Sequence, residues 1–593
     1  MLAMKARKLL RSRPWLLTTS LFALCCTRLD AGGDMFAVSN AAGTRGNDAG
    51  AGSSLAGGGA ATAGVAADAA GSGGAATEMG VAGEGGAGCV DERGFEGLGC
   101  YRCSAVDLGT LENACTDASC QPFDNALRLP ALNGDKLPDL PVPDGSGGSG
   151  GNGGGSAGGA GGAGGAGRAG SGGSAGGAGR AGSGGSAGSA GSAGSTSSGF
   201  ACDALAASGV VLYVTGSTAA KPFLQQIAQQ LSLQKVSLVY TAVGSCSGVD
   251  AIVNGTLMRT GAAPLPASAT YWDSSSSPGT PCDLPPQGVS ADLGISDVFA
   301  PSCPGFELAN LEALKIRDAH GPIQTMTFSV PSNSQYHEIS QQAAYLVFGF
   351  GKDGQVLDPS GQHPIWNDES ALLQRSASSG TQAMLAAAIG VPPGSWKGKT
   401  NKGSDDVAGA LQAASASQAA ADAAIGILGA DYIDSRNLRA QIRMLAYQDS
   451  HQTCAVTPDS TDTAKDKRNV RDGHYPIWGP LHLLYQVNAK GEPQNAVIRQ
   501  QLSDVVGYLS GSKALPNGVT LLDVYAQSGL VPECAMQVAR SADGGAITPN
   551  RPVSPCACLF EKKATGATDC TACKVQGDCG GGETCSQGYC ERP

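Results

Sequence analysis

Aromatic residues make up only 5% of this chain and charged residues only 15%. A chain so poor in both cannot be packed core along its whole length. Histidine is scarce too, with six residues scattered along 593. None falls in a His-x-Glu or His-Glu-x-x-His pattern, which leaves out the commonest hydrolytic zinc motifs. Outside the glycine-rich tracts no Gly-x-Ser-x-Gly elbow stands between a strand and a helix. There is no basic stripe after the first few residues and the net charge is −11, which argues against a nucleic-acid partner. No long uninterrupted apolar run follows Cys26, so no membrane span is expected beyond that point.

What the chain has in excess is glycine and cysteine. Its 89 glycines concentrate in two tracts, 29–88 and 145–199. Both are expected to be disordered linkers, since Gly, Ala and Ser bury too little apolar surface to offset chain entropy. As a random coil the second would span roughly 40 Å, enough to let the domain C-terminal to it move freely. Collagen is excluded because the glycine period breaks and prolines are missing.

The 20 cysteines point to an oxidising compartment. Lys5, Arg7, Lys8, Arg11 and Arg13 precede an apolar run from Trp15 to Cys26. That is the pattern of an export signal, assigned here to residues 1–28. Cys25 and Cys26 are candidates for lipid attachment, and cleavage near Asp30-Ala31-Gly32 is the alternative. Cys89, Cys100, Cys103, Cys115 and Cys120 mark a small module at 89–144. Its spacing is loosely that of a zinc ribbon, but in an exported chain disulfides are the better reading. A second cysteine-dense module, 548–593, carries seven cysteines from Cys556 to Cys590. An odd number implies a partner outside the tail, and Cys534 is nearest in sequence.

Between these modules, residues 200–547 alternate strand and helix signals, which favours an α/β fold with a largely parallel sheet. Val210–Val214 is a strand, and Phe223, Leu224, Ile227, Ala228 and Leu231 then share one helical face. Val236–Val243 is a second strand, followed by the turn Gly244–Gly248 and another apolar helix face. Met258–Gly288, rich in proline and serine, reads as a long surface excursion. Strands resume at Val289–Ile295 and Thr325–Val330. Tyr345–Phe348 fits either a strand or a helix, and Thr381–Ile389 is a helix.

Strand-to-helix turns rich in Gly, Ser and Thr leave backbone N–H groups free at a helix N-terminus, where the dipole also favours negative charge. Two such turns, at Ser217 and Ser245, can face one crevice, and Ser379-Gly380-Thr381 supplies a third. Arg375 adds a permanently charged fork suited to a tetrahedral oxyanion. Any one of these stretches alone is an ordinary helix cap.

In chain order, Thr215–Pro222, Gly244–Gly248, Asp292–Asp297 and Arg375–Thr381 resemble the phosphate-binding proteins of ABC uptake systems, of the type II periplasmic binding protein class. Lys402–Ala408, Ala424–Ile427 and Tyr475–Ile477 are similar to further landmarks of that family. The resemblance covers about 210–510. It implies two α/β lobes closing about a hinge of crossing strands, no cofactor, no catalysis, and an ABC permease as partner. It also implies that Ser245, Arg375, Ser379, Gly380 and Thr381 donate to the anion. Asp297 would accept the proton that phosphate carries and sulfate lacks.

The chain departs from that pattern at three places. The first turn has Ala220 and Lys221 where the family has a threonine and an aromatic, so Ser217 or Thr218 would have to compensate. Ala377 stands where an acid usually braces the arginine. The 258–288 insertion is long, with Cys246 and Cys282 placed to tie across it. Two other functional classes stay open beside solute binding. One is a surface or matrix module that reuses the fold with a degenerate site. The other, an enzyme acting on phosphate esters, lacks an evident base. Gly394–Thr400 resembles a nucleotide P-loop, but it is one residue short and comes after two prolines instead of a strand.

Overall fold

The computed structural model describes residues 111–114, 120–141 and 199–592, apart from 133, 135, 263, 264 and 277. The export signal, the 29–88 tract, positions 145–198, and Cys89, Cys100, Cys103 and Cys115 lie outside the described residues. No helix among the described residues is long and apolar enough to cross a membrane.

The first strand–helix unit forms as its periodicity predicts. β1 (Val210–Gly216) pairs in parallel with β2 (Val236–Ala242). The connecting helix α1 (Lys221–Ser232) has Pro222 in its first turn and buries Phe223, Leu224, Ile227, Ala228 and Leu231 against the sheet. After β2 comes α2 (Ser245–Val253). The 258–288 stretch is more than a surface excursion, because β3 (Ala269–Tyr271) and β4 (Thr280–Cys282) extend the sheet antiparallel beyond β2. Three-residue strands flanked by proline and serine are too short to show a period of two, which hid them in the sequence. β5 (Leu293–Ser296) then pairs in parallel with β1 on its other side.

The longest strand, β6 (Ile316–Pro331), passes the sheet from one set of partners to another. Ile316–Thr325 pairs with β13 (Trp478–Gln486), and Met326–Ser329 pairs with β10 (Ile425–Gly429). Short strands β7 (Glu338–Ser340), β8 (Leu372–Arg375) and β9 (Lys399–Asn401) come after β6 in the chain, and β11 (Ile442–Met444) and β12 (Ala446–Gln448) come after β10. The main sheet is mixed, ordered β4-β3-β2-β1-β5-β13-β6-β10-β8-β9. Its strands form two groups, one around β1 and one around β8, joined through β6 and β13. At the junction Tyr475 donates to the Met326 carbonyl at 2.9 Å, and the Met326 N–H donates to Ile477 at 3.0 Å.

Tyr345–Phe348 is helical, inside α3 (Gln341–Phe350), whose first turn is capped by the Ser340 hydroxyl at 3.1 Å from the Ala343 N–H. In the second group, α4 (Gly380–Ile389), α5 (Ser404–Ala414) and α6 (Ala430–Ser435) come after β8, β9 and β10.

The disulfides correct one expectation. Cys246 does not pair with Cys282: Cys246 bonds Cys303, and Cys282 bonds Cys202. β4 lies at the sheet edge, where Cys282 packs with Cys202, Met258 and Leu284, whereas Cys246 lies in the first turn of α2 among the main core residues. In the tail, Cys556 bonds Cys534, and the six remaining cysteines pair among themselves as 558–570, 573–585 and 579–590. Helix α7 (Ala557–Thr565) of the tail buries Phe560 in the main core.

The described part of the 89–144 segment is fastened to the α/β body instead of moving freely on a tether. Cys120 bonds Cys454. The buried Arg128 donates to Glu338 at 2.6 Å and to the Leu357 carbonyl at 3.0 Å, with its guanidinium 3.8 Å over the Phe123 ring.

Candidate functional site

Three turns at the ends of β1, β2 and β5 build one wall. β1 ends on Gly216, whose positive φ and closeness to the Ile295 carbonyl, 1.9 Å from where a Cβ would sit, admit only glycine. The Ser217 hydroxyl then accepts the Ala219 and Ala220 N–H groups at 3.1 and 3.2 Å. α1 and α2 both begin without a side-chain cap at Ala220 or Gly244. Ser245 donates to Asp297 Oδ2 at 2.9 Å and accepts the Asp297 N–H at 3.1 Å. Asp297 is buried, and its second oxygen, Oδ1, has no hydrogen-bond partner. Burial pushes its carboxyl above the ordinary range, opposed by the Ser217 and Ser245 hydroxyls, Arg375 and His482.

The opposite wall comes from the second strand group. β8 ends on Arg375, and α4 opens at Gly380 with no side-chain hydrogen bond from Ser379 to cap it. Gly380 lies so close to the first wall that a Cβ there would sit 2.2 Å from Ser245 Oγ and 2.8 Å from Asp297 Oδ2. The Ser378 carbonyl accepts the Cys246 N–H at 3.1 Å, bridging the walls directly. Arg375 bridges them again, donating to Thr218 Oγ1 at 3.2 Å. Thr381 is buried in the first turn of α4.

Arg375 is only 2% exposed. Without an acid at Ala377, its brace is the loop opening α5: it donates to Ser404 Oγ at 3.0 Å and to the Lys402 carbonyl at 3.3 Å. Its Nε is buried without a partner. Burial lowers the guanidinium's pKa, with Asp297, Asp406 and Asp405 acting against that shift. Ala220 is fully buried and contributes only its N–H, to Ser217. Lys221 is half-buried, and burial pulls its ammonium down while Asp405 supports it. Thus Thr218, Ser245, Asp297, Arg375 and Gly380 converge, with the Ser245 hydroxyl engaged by Asp297.

Asp431 was missed. It lies in the first turn of α6, 4% exposed, with Oδ1 unpartnered. Burial raises its carboxyl well above the ordinary range, and Asp297 pushes it further. The available signal was its position directly after Ile425–Gly429, where a strand feeds a helix.

Two buried carboxyls that each keep an oxygen without a partner, a buried guanidinium and three helix N-termini without side-chain caps can together hold a small anion that carries a proton.

No protein family and no curated protein matches the chain. Solved structures do. A Clostridium perfringens protein assigned as a phosphate ABC transporter substrate-binding protein, with bound phosphate, shares 13% identity at a TM-score of 0.35. The match covers 54% of this chain and 99% of that one. An ABC-type phosphate transport receptor from Vibrio cholerae shares 12% identity at a TM-score of 0.33, covering 54% and 99%. PstS from Borrelia burgdorferi shares 13% identity at 0.29, covering 55% and 98%. At such values the geometry of the site has to carry the functional reading.

Proposed function

We propose that this chain is an exported solute-binding protein that captures phosphate, or a similar tetrahedral oxyanion, between two lobes hinged at β6 and β13. One observation carries the reading: Arg375 and Asp297, from opposite walls, are both buried and each keeps one polar atom without a partner. A buried polar atom left unpaired costs about 1–3 kcal/mol, so such a pair fits a site completed by a ligand. Anion oxygens would take Arg375 Nε and the N–H groups opening α2 and α4, and Asp297 Oδ1 would accept the ligand's proton. Entry requires the walls to part, breaking the Cys246–Ser378 and Thr218–Arg375 bonds and rotating the two strand groups about β6. Delivery to an ABC permease from the periplasm or cell surface, with lipid attachment at Cys25 or Cys26, belongs to the same reading.

The close approach of Gly380 to Ser245 and Asp297 favours a second reading, a surface or matrix module whose site has collapsed. Calorimetric titration of the full chain with phosphate and sulfate decides. Solute binding gives a one-to-one phosphate isotherm that Arg375→Ala abolishes, with weak or no sulfate binding. If no tetrahedral oxyanion binds, the structural module stands in its place.

A further inference from the structure

Asp318, His320 and His482 share one face of the sheet; His482 acts on Asp297 only through its charge, and its hydrogen bond goes to Asp318. Asp318 and His320 are two residues apart on β6, so their side chains leave the same face. His482 on β13 stands directly opposite His320. The register shifts between Pro480 and His482, a bulge of the kind that re-aims side chains beside sites. One donor atom from each of the three residues lies within 4.8 Å of the others. The two imidazole rings meet edge to face at 5.1 Å, and His482 Nδ1 lies 2.8 Å from Asp318 Oδ2.

Packing explains part of this arrangement. The His482 ring rests edge-on against Phe299, with centroids 4.3 Å apart. Packing does not explain two further atoms: His482 Nε2 and Asp318 Oδ1 are both buried and have no hydrogen-bond partner. The His482 side chain is 0% exposed, so its unused nitrogen is out of reach of solvent. Asp318, 19% exposed, leaves a way in from the surface.

We propose that Asp318, His320 and His482 bind a divalent transition-metal cation of the zinc class. Two imidazoles and one carboxylate are the donor set of a three-ligand zinc site that leaves a fourth position for water. Calcium and magnesium prefer all-oxygen shells, and copper(I) prefers sulfur. A metal at about 2.0–2.2 Å from each donor draws the three atoms closer together than they now stand. That movement falls to Asp318 and His320, which are partly exposed on the outer half of β6.

The test is titration of the full chain with Zn2+ alone by calorimetry, with Co2+ absorption as a second readout. The wild type should take up one equivalent that His320→Ala and His482→Ala weaken at least tenfold, and cobalt should show visible ligand-field bands that both variants lose. His451→Ala removes a histidine outside this cluster that lies close to Glu112 and Asp449, and should leave the titration unchanged. If His482→Ala fails to fold, the partly exposed His320→Ala remains decisive, its fold checked by thermal melting. Absence of zinc uptake, or wild-type uptake by a folded His320→Ala chain, overturns the proposal.

Discussion

Asp297→Asn replaces one carboxylate oxygen with an NH2 group of nearly the same size at the centre of the proposed anion site. In the structure Oδ2 already receives the Ser245 hydroxyl and the N–H of Asp297 itself goes to Ser245. The oxygen without a partner is therefore the one that would meet the ligand. A hydrogen bond to a charged group is worth about 1.5–3 kcal/mol, or roughly 10- to 150-fold in affinity. The wild type gives that advantage to an anion with a proton to donate and presents a buried acceptor to one without. Asparagine can turn its NH2 toward either anion, so the phosphate-to-sulfate ratio should fall by about 10- to 150-fold. The assay is paired calorimetric titration with both anions at neutral pH. An unchanged ratio in a folded variant refutes the role given to Asp297. The pH dependence gives a second check. Because burial raises the Asp297 pKa, acidification protonates it and supplies a donor, so wild-type sulfate affinity should rise as pH falls. The asparagine variant should lack that rise.

Two other positions give further outcomes. Gly380→Ala puts a Cβ 2.2 Å from Ser245 Oγ, so phosphate affinity should drop about tenfold or more. Its melting midpoint should hold if parting of the walls relieves the clash; unchanged affinity counts against closure at this contact. Glu112, 4% exposed, has its carboxyl pushed up to about 8, first by burial and then by Asp449, with Arg540 and His474 opposing. A carboxyl whose folded pKa lies above its unfolded value is fully favourable below about 4.5, and that contribution is lost as pH rises to about 8. Glu112→Gln should therefore be more stable than the wild type at pH 9, on the order of 2–4 kcal/mol in urea unfolding, with the gap closing toward pH 4. A gap that does not change with pH would show that Glu112 is solvated.

Local features were legible in the sequence because short-range physics fixes them. The helical face from Phe223 to Leu231, the turns at Gly216 and Gly244, and the start of α4 after Ser379 are each set by residues within a few positions. The role of Ser379 was less legible. A serine before a helix reads as a side-chain cap, yet here it makes no such bond, and a sequence shows neither outcome. The missing brace at Ala377 also misled, because Ser404 and the Lys402 carbonyl supply it from the next strand–helix turn. β6 was seen only from Thr325 onward. Its first half carries Arg317, Asp318, Gly321 and Pro322, and reads as a loop until β13 pairs with it.

By itself the sequence determined the alternation of strands and helices, the glycine–serine turns, the lone arginine before α4 and the odd number of tail cysteines. Tertiary structure decided which distant pieces meet. It joined Cys120 to Cys454 across 334 residues, gave Cys246 to Cys303 instead of Cys282, and brought Asp431 into the electrostatic range of Asp297. It also set His482 opposite His320. The physical reason is one of range. Propensity and periodicity act over a turn or a strand, whereas pairing depends on how β6 exchanges partners, and no local stretch of the chain records that choice.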